Sequence, residues 1–183
     1  QVNSQNVATD RRGKRARLLL APLALMSVLA SPMAGAASVS LVISEVMYNP
    51  SGTEPDGEWI ELYNLSGSPI ALSGYKIGDE ETSGLGEGMM QFPGGSIAAG
   101  GTVVIANSAS TFFAAYGFNP AYELVDTDAT VPEMTKYLAW ASGSVSLSNT
   151  NDELLLLDAG DGLVDAVSWG SSTFAFNPGT TAV

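Results

Sequence analysis

Residues 41–64, LVISEVMYNPSGTEPDGEWIELYN, decide the fold of this chain. They contain two runs, LVISEVMY and EWIELYN, in which apolar and polar residues alternate as they do in a β-strand with one buried face. In the second run Trp59 and Glu61 face one way, and Ile60 and Leu62 face the other. The loop between the runs is rich in Pro and Gly, residues that set or permit the dihedral angles of turns. The stretch predicts strand, loop and strand, and it contains no obvious catalytic group.

The same texture of short strands and turns continues along the chain. Residues 68–79 form a strand candidate interrupted at Gly74, and a Gly-rich loop separates it from the short run MMQF. The run VVIA, which follows a Gly-Gly turn, has the continuous apolar character of a buried strand. Near the end, NDELLLLD, the turn DAGDG and LVDAVSWG predict a β-hairpin. Residues 119–140 are acidic and are predicted to be loop.

One helix is predicted, over residues 109–116, where aromatic side chains recur at helical spacing. Ser108 or Ser110 can cap its first turn, and Gly117 can end it. Many short strands, frequent turn signals and one short helix indicate an all-β fold of the β-sandwich class. The residues predicted to form the core are Trp59, Ile60 or Leu62, Ile77, Val104, Phe112, Leu154, Leu156, Val167 and Trp169.

Trp59 and Trp169 have a second interpretation, as an aromatic platform for sugar binding. Each lies in an alternating strand, so that a packing role in the core is favoured. Glu58 and Glu61 also have a second interpretation, as the paired carboxylates of a glycoside hydrolase. They are three residues apart on a strand and therefore point to opposite faces, which prevents them from flanking one bond.

The first 37 residues predict a secretory signal peptide. Five of the seven basic residues of the chain lie in the n-region, residues 10–17, and the apolar h-region LLLAPLALMSVLA covers residues 18–30. The small-residue sequence AGA at 34–36 predicts cleavage near 36/37. The alternative is a membrane anchor, but the apolar run is shorter than the roughly 20 residues of a spanning helix, and Pro22 interrupts it. We therefore expect a secreted protein, extracellular or at the cell surface.

Without that segment, residues 38–183 form a strongly acidic domain. The whole chain has a net charge of −12, whereas residues 38–183 hold two basic and 18 acidic residues, a net charge of −16. Lys76 and Lys136 are their only cations. Such a surface repels nucleic acid and anionic lipid, because binding to either requires cationic groups. We expect no nucleic-acid partner, and no membrane span after signal cleavage.

Cysteine and histidine are absent from the sequence. An exported domain without cysteine is not cross-linked by disulfides and depends on its own core. Without histidine, no serine or cysteine nucleophile can use an imidazole base, and no imidazole metal site can form. Chemistry based on carboxylates alone stays open, but the spacing of the acidic residues predicts no catalytic residue in this chain.

Metal binding is the sharper alternative, since Glu54, Asp56 and Glu58 alternate in the first loop. Calcium takes six to eight oxygen ligands, often from carboxylates at alternate loop positions. We take this triad as the first candidate for a calcium site, and we predict no other cofactor. None of the acidic loops has the full pattern of an EF-hand loop. The sequence around Asp158 and Asp161 is more simply a turn.

Six pieces of the sequence occur in an order that is typical of one family. They are ISEVMYNPSG, GEWIELYN, LSGYKIGD, VVIANS before a helix closing in AAYG, LSNTNDELLLLD, and the hairpin DAGDGLVDAVSW. Together they make residues 41 to about 177 resemble the lamin tail domain of secreted bacterial proteins. The resemblance implies an immunoglobulin-like β-sandwich for residues 38–183.

Both ends of the chain differ from the usual pattern of that family. Members usually continue with a short strand of the type G-x-S-L-E-R, whereas this chain ends at Val183 before it and begins at Gln1 without Met. We expect a domain truncated at its C-terminal edge strand. The neighbouring strand would then be exposed and prone to pair with another chain.

The sequence favours one function and leaves an alternative. The favoured function is a non-catalytic extracellular binding or scaffolding module with a protein or cell-surface partner. The alternative is an N-terminal accessory domain of a larger secreted hydrolase, of nuclease or phosphatase type, whose catalytic part lies beyond residue 183. A stand-alone enzyme is disfavoured by the missing histidine. The nuclear roles of family members in filaments and chromatin do not suit a signal peptide and a charge of −16.

Overall fold

The computed structural model describes residues 40–84 and 86–174. The predicted signal peptide and the predicted truncation of the last edge strand lie outside these residues. Within them the chain forms eleven strands and one helix. Their bounds are β1 Leu41–Met47, β2 Trp59–Asn64, β3 Ile70–Ala71, β4 Lys76–Gly78, β5 Met89–Gln91, β6 Ser96–Ile97, β7 Thr102–Ser108, α1 Ala109–Tyr116, β8 Tyr122–Val125, β9 Thr135–Lys136, β10 Asp152–Leu157 and β11 Leu163–Trp169.

Nine of these strands form two sheets that pack face to face. The first sheet has the order β1-β2-β7-β8, the second has the order β11-β10-β4-β5-β9, and β3 pairs with β6 in a small ribbon. Buried apolar residues of both sheets meet in the main core, which includes Leu41, Ile43, Ile60, Leu62, Ile105, Ile77, Met90, Leu154 and Leu156. This arrangement confirms the predicted all-β, immunoglobulin-like β-sandwich with one short helix.

Strand β2 is buried on both faces. Ile60 and Leu62 point into the main core, whereas Trp59 packs on the opposite face with Ala106 and Phe112. The rings of Trp59 and Phe112 meet edge to face with centroids 6.1 Å apart. The sequence-based assignment of the two faces is therefore confirmed, and Trp59 has a packing role.

Helix α1 covers Trp59, and its ends have the predicted caps. Ser108 is the N-cap, and its hydroxyl accepts a hydrogen bond from the backbone N–H of Thr111. Gly117 ends the helix in the left-handed conformation, with φ +79°, and its N–H donates to Phe113 O. Because these signals are local, the sequence predicts the helix to the residue.

The run of four leucines in β10 is buried because both faces of the second sheet are covered. Leu154 and Leu156 belong to the main core. Leu155 and Leu157 pack on the outer face with Met89 and Trp140. Full burial of an aliphatic side chain stabilises a fold by about 1.5–3 kcal/mol. The continuous apolar run therefore reflects a strand enclosed from both sides.

The prediction of loop for residues 119–140 is wrong in two places. Strand β8 pairs in parallel with β7, and the short β9 pairs with β5 at the edge of the second sheet. Alternation in β8 is obscured because Glu123 is fully buried. Its carboxylate accepts hydrogen bonds from the backbone N–H groups of Ala109, Thr127 and Asp128. An acidic residue in the middle of a segment makes its sequence pattern typical of a loop. Here the buried carboxylate of Glu123 instead connects three segments of the chain through hydrogen bonds.

Three residues predicted for the core are only half-buried. Val104 lies against the cluster of Trp59, and Val167 and Trp169 lie at the margin of the main core. Trp169 stacks on Tyr48 with ring centroids 4.8 Å apart, and its Nε1 donates to Ser148 O. In the ranges that the structure describes, no helix is long and apolar enough to span a membrane.

Candidate functional site

Seven carboxylates gather at one end of the sandwich, which we call the acidic end. Its members come from the residue before β2, the β4–β5 loop and the start of β10. They are Glu58, Asp79, Glu80, Glu81, Glu87, Asp152 and Glu153. The antiparallel pairing of Gly78 with Leu155 places the residues that follow β4 beside those that begin β10. Strand register, rather than sequence proximity, creates this concentration of negative charge.

The β4–β5 loop of the acidic end is closed by its own hydrogen bonds. Gly88 O accepts from the N–H groups of Asp79 and Glu80, at 3.0 and 3.2 Å. Gly88 N–H donates to Asp79 Oδ1, and Glu87 N–H donates to Glu80 Oε2. Trp140 lies against the loop, with its Nε1 2.8 Å from Glu80 O. The acidic side chains are therefore presented by an anchored loop.

The inner members of the acidic end hold the segment that leads into β10. Glu58 accepts from Leu147 N–H at 3.0 Å, and Asp79 accepts from Ser146 N–H at 2.8 Å. Burial raises the pKa of Asp79 to about 6, although hydrogen bonds from the backbone oppose the shift. The pKa of Asp152 is raised by burial as well. These carboxylates serve as hydrogen-bond acceptors for the backbone. Their ionisation is unfavourable in free energy because they are partly removed from water.

The outer members, Glu80, Glu81 and Glu87, each place a carboxylate oxygen within 4.8 Å of the others. Glu80 is fully buried, Glu81 is half-buried and Glu87 reaches the surface. The pKa of Glu87 is raised to about 7 by partial removal from water and by the negative charges around it, of which Asp79 contributes most. These three carboxylates therefore repel one another in a partly desolvated place.

Glu153 extends this group from a second element. Its pKa is raised by burial first and also by the negative charges of Glu81 and Asp152. The hydroxyl of Ser172 donates to Glu153 Oε2 and acts in the opposite direction. No lysine or arginine in the described ranges forms an ion pair with the acidic end, since Lys76 pairs with Asp161. Lysines of the described ranges therefore leave the repulsion uncompensated.

The domain is expected to lose stability as the pH rises from 4.5 to 7, because folding disfavours ionisation of Glu58. Burial raises the pKa of Glu58 from 4.5 to about 7, and Glu54, Asp79 and Asp152 add repulsion against the hydrogen bond from Leu147. For an acid whose pKa is higher in the folded state, the contribution to stability is fully present at a pH below the unfolded pKa. This contribution is lost as the pH rises through the folded pKa. Urea unfolding should show a decline of about 2 kcal/mol after allowance for solvent screening.

Glu58→Gln is the control for this decline. The variant keeps an oxygen acceptor for Leu147 N–H but has no charge to ionise, so we expect a shallower pH dependence and higher stability than the wild type above pH 7. An equally steep decline in the variant would contradict the assignment to Glu58.

The structure does not bring the predicted calcium triad together. Glu54 and Asp56 are exposed on the β1–β2 loop, and Glu54 accepts from the side chain of Asn149. Glu58 is buried and is engaged by Leu147 N–H. The one group of three convergent carboxylates within residues 40–84 and 86–174 is Glu80, Glu81 and Glu87. The calcium site of the first loop stays a prediction without geometric support, because the strand that starts after Glu58 turns this side chain inward.

The exclusion of a glycosidase pair agrees with the structure. Glu58 is buried on the side of Leu147, whereas Glu61 lies on the outer face of β2 and accepts a hydrogen bond from Ser44 Oγ at 2.7 Å. The two carboxylates therefore cannot act on one substrate bond.

A second candidate site is an aromatic surface on α1 and the residues that follow it. None of its residues belongs to the acidic end. Phe113, Tyr116 and Phe118 are each about half exposed. Tyr116 also lines a cleft of about 410 Å³, together with Met47, Pro50, Thr111 and Phe112, among others. The hydroxyl of Tyr116 accepts from Trp59 Nε1 at 3.0 Å, which fixes one wall of the cleft. The surface therefore presents exposed aromatic side chains next to a cleft with an apolar lining.

The sequence pattern did not predict the outer carboxylates as a site, because the segment that follows residue 79 has the composition of a Gly-rich loop. A signal was available in the three successive acids of residues 79–81, in Glu87 at the return of the loop and in the acidic pair before the leucines of β10. These segments point to one site only when β4 and β10 are known to be neighbours.

Comparisons with known proteins agree with this architecture. A sequence model of the family described as Lamin Tail Domain matches residues 34–171. Among solved structures, a DUF4876 family protein from Bacteroides thetaiotaomicron has a similar fold, with a TM-score of 0.50 and 15% sequence identity. The match covers 75% of this chain and 55% of that protein, so the chain spans about half of its length. Identity this low shows a shared fold alone. No curated protein matches the chain.

Proposed function

Because the chain belongs to the Lamin Tail Domain family, we propose that it is a non-catalytic extracellular binding module that docks a protein or cell-surface partner. The observation that carries the proposal is the aromatic surface of α1. Phe113 is 51% exposed and Phe118 is 55% exposed. The ring of Phe118 packs on Phe112, which lines the neighbouring cleft together with Tyr116. Exposed aromatic clusters are expensive in water and are enriched at protein interfaces.

The aromatic surface is also organised in advance of binding. The helix that carries it is capped at both ends, and Phe112 and Trp59 support it from below with edge-to-face packing. Preorganised aromatic side chains lose little conformational freedom on binding and are common hot spots. The secreted location and the cell-surface partner are part of the proposal, and the predicted signal peptide of residues 1–37 supports the secreted location.

Phe113→Ser should weaken binding of the purified, fluorescently labelled chain to cells of the source organism by at least about tenfold, as for an interface hot spot. Phe113 is exposed, so we expect the fold to be retained. Leu138→Ser is the matched control, because Leu138 is 71% exposed and lies outside the aromatic surface. Binding should be measured by flow cytometry over a concentration series. Equal loss in both variants, or no loss in Phe113→Ser, would contradict the proposed surface.

The alternative prediction, an accessory domain of a larger secreted hydrolase, concerns sequence beyond Val183. The coding sequence that follows this residue tests it. A catalytic domain there would favour the alternative, and the aromatic surface would then serve a role in positioning that enzyme.

A further inference from the structure

We propose that Glu80, Glu81 and Glu87 form a binding site for a divalent cation of the calcium type, with Glu153 beside it. The site lies in the acidic end and is distinct from the aromatic surface. It does not rest on the proposed function, because its argument uses only the geometry and the charge of these carboxylates.

The separation of the oxygens fits one bound ion. Calcium–oxygen distances are about 2.3–2.6 Å, so two ligands of the same ion are at most about 5 Å apart. Glu80, Glu81 and Glu87 supply oxygens that all lie within 4.8 Å of one another. The three side chains can therefore reach a common cation. Glu153 can add a fourth carboxylate from β10, because the pairing of Leu155 with Gly78 places the start of β10 beside the residues that follow β4.

Glu80 gives an independent reason to place a ligand here. This residue is fully buried, and its Oε2 accepts from Glu87 N–H. Its other oxygen, Oε1, is buried and has no hydrogen-bond partner among residues 40–84 and 86–174. A buried carboxylate oxygen without a partner is costly, and natural structures usually satisfy it with a donor, water or an ion. A cation among the three glutamates would satisfy it.

The two lysines of the described residues do not compensate the charge of these glutamates. Within the part of the chain that the structure describes, Lys76 is engaged with Asp161 and the carbonyls of the β10–β11 turn. Lys136 is directed to Ser142 O and Ser144 Oγ. A divalent ion would therefore neutralise a charge that neither Lys76 nor Lys136 neutralises. By the same electrostatics, it should bind in preference to a monovalent ion.

The donor set decides the class of metal. The sequence has no histidine and no cysteine, the ligands that favour zinc and copper. Carboxylates from the loop of residues 79–88 and a neighbouring strand suit a hard cation with flexible coordination. Calcium accepts such irregular geometry, whereas magnesium requires a nearly ideal octahedron.

Isothermal titration of the purified chain with CaCl₂ in metal-free buffer at pH 7.5 tests the proposal. We expect one binding event with a Kd between about 10⁻⁵ and 10⁻³ M, in the range of calcium sensors and extracellular modules. Terbium, a luminescent calcium analogue, should show emission on tryptophan excitation that calcium displaces, because Trp140 donates to Glu80 O. Glu80→Gln and Glu81→Gln should each weaken calcium binding at least tenfold.

The matched control is Glu54→Gln/Asp56→Asn, which removes two exposed acids of the first loop and should leave calcium affinity unchanged. Circular dichroism should verify the fold of every variant, and if Glu80→Gln does not fold, the half-buried Glu81 carries the test. No heat and no calcium-displaceable terbium emission in the wild type would overturn the proposal. So would loss of binding in the control variant alone, or tighter binding of MgCl₂ than of CaCl₂.

Discussion

Asn64→Asp should destabilise the domain by about 4 kcal/mol, the largest effect that we expect from a nearly isosteric change. Asn64 ends β2 and is fully buried. Its Nδ2 donates to Ser68 O, Ile97 O and Ala98 O at 2.8–3.0 Å. Its Oδ1 accepts from the N–H and the hydroxyl of Ser66. One side chain thus joins the chain segment after β2 to the segment after β6.

The physical reason for the large effect is the loss of every donor at once. An aspartate at this position faces three carbonyl oxygens with a negative charge, and these carbonyls lose their amide partner. Urea unfolding of Asn64→Asp and wild type should give the difference. Asn119→Asp is the control, because Asn119 is exposed and makes only a 3.5 Å contact with Thr130. We expect a change below about 0.5 kcal/mol there, and a similar change in both variants would refute the role of Asn64.

Gly78→Ala should destabilise the domain by about 3 kcal/mol, because the centre of the second sheet has no room for a methyl group. Gly78 lies in β4 between β10 and β5. A Cβ at this position would lie 2.1 Å from Gly88 O and 2.7 Å from the Cα of Met89. Both are backbone atoms, so neither can move aside as a flexible side chain would.

Gly78→Ala should also change the structure of the acidic end. Gly88 O accepts from the N–H groups of Asp79 and Glu80, and its displacement would disturb the loop that presents the glutamates. Thermal unfolding monitored by circular dichroism should show the loss of stability. Gly67→Ala is the matched control, because a Cβ there meets no atom within 4 Å. A melting temperature of Gly78→Ala as high as that of Gly67→Ala would show that the sheet can adapt.

Local features of the fold were predictable because local residues encode them. The alternation in LVISEVM and WIELYN predicts the strands β1 and β2. Ser108 and Gly117 at the two ends of α1 predict where the helix begins and ends. Strand β8 was missed because its partner β7 is parallel and its central Glu123 is buried. Hydrogen bonds from residues 109, 127 and 128 satisfy that carboxylate. The local sequence around an acidic residue does not show whether its carboxylate is buried or solvated.

The candidate cation site shows the same limit more clearly. The alternating acids of the first loop predict a calcium site at Glu54, Asp56 and Glu58. In the structure Glu58 points inward and accepts a hydrogen bond from Leu147 N–H, away from the two exposed acids. The carboxylates that do converge come from the loop after β4, with Glu153 of β10 beside them. These segments are more than sixty residues apart in the sequence, and no local pattern relates them.

By itself, the sequence determined the all-β class, the two-faced strand at residues 59–64, the capped helix and the strong negative charge. Those properties follow from periodicity, caps and composition, which need no knowledge of distant neighbours. Only the tertiary structure decided which carboxylates share a site, which aromatic side chains stay exposed, and which buried polar groups hold the fold. Each of these depends on strand register and on burial, and both are set when distant segments of the chain pack together.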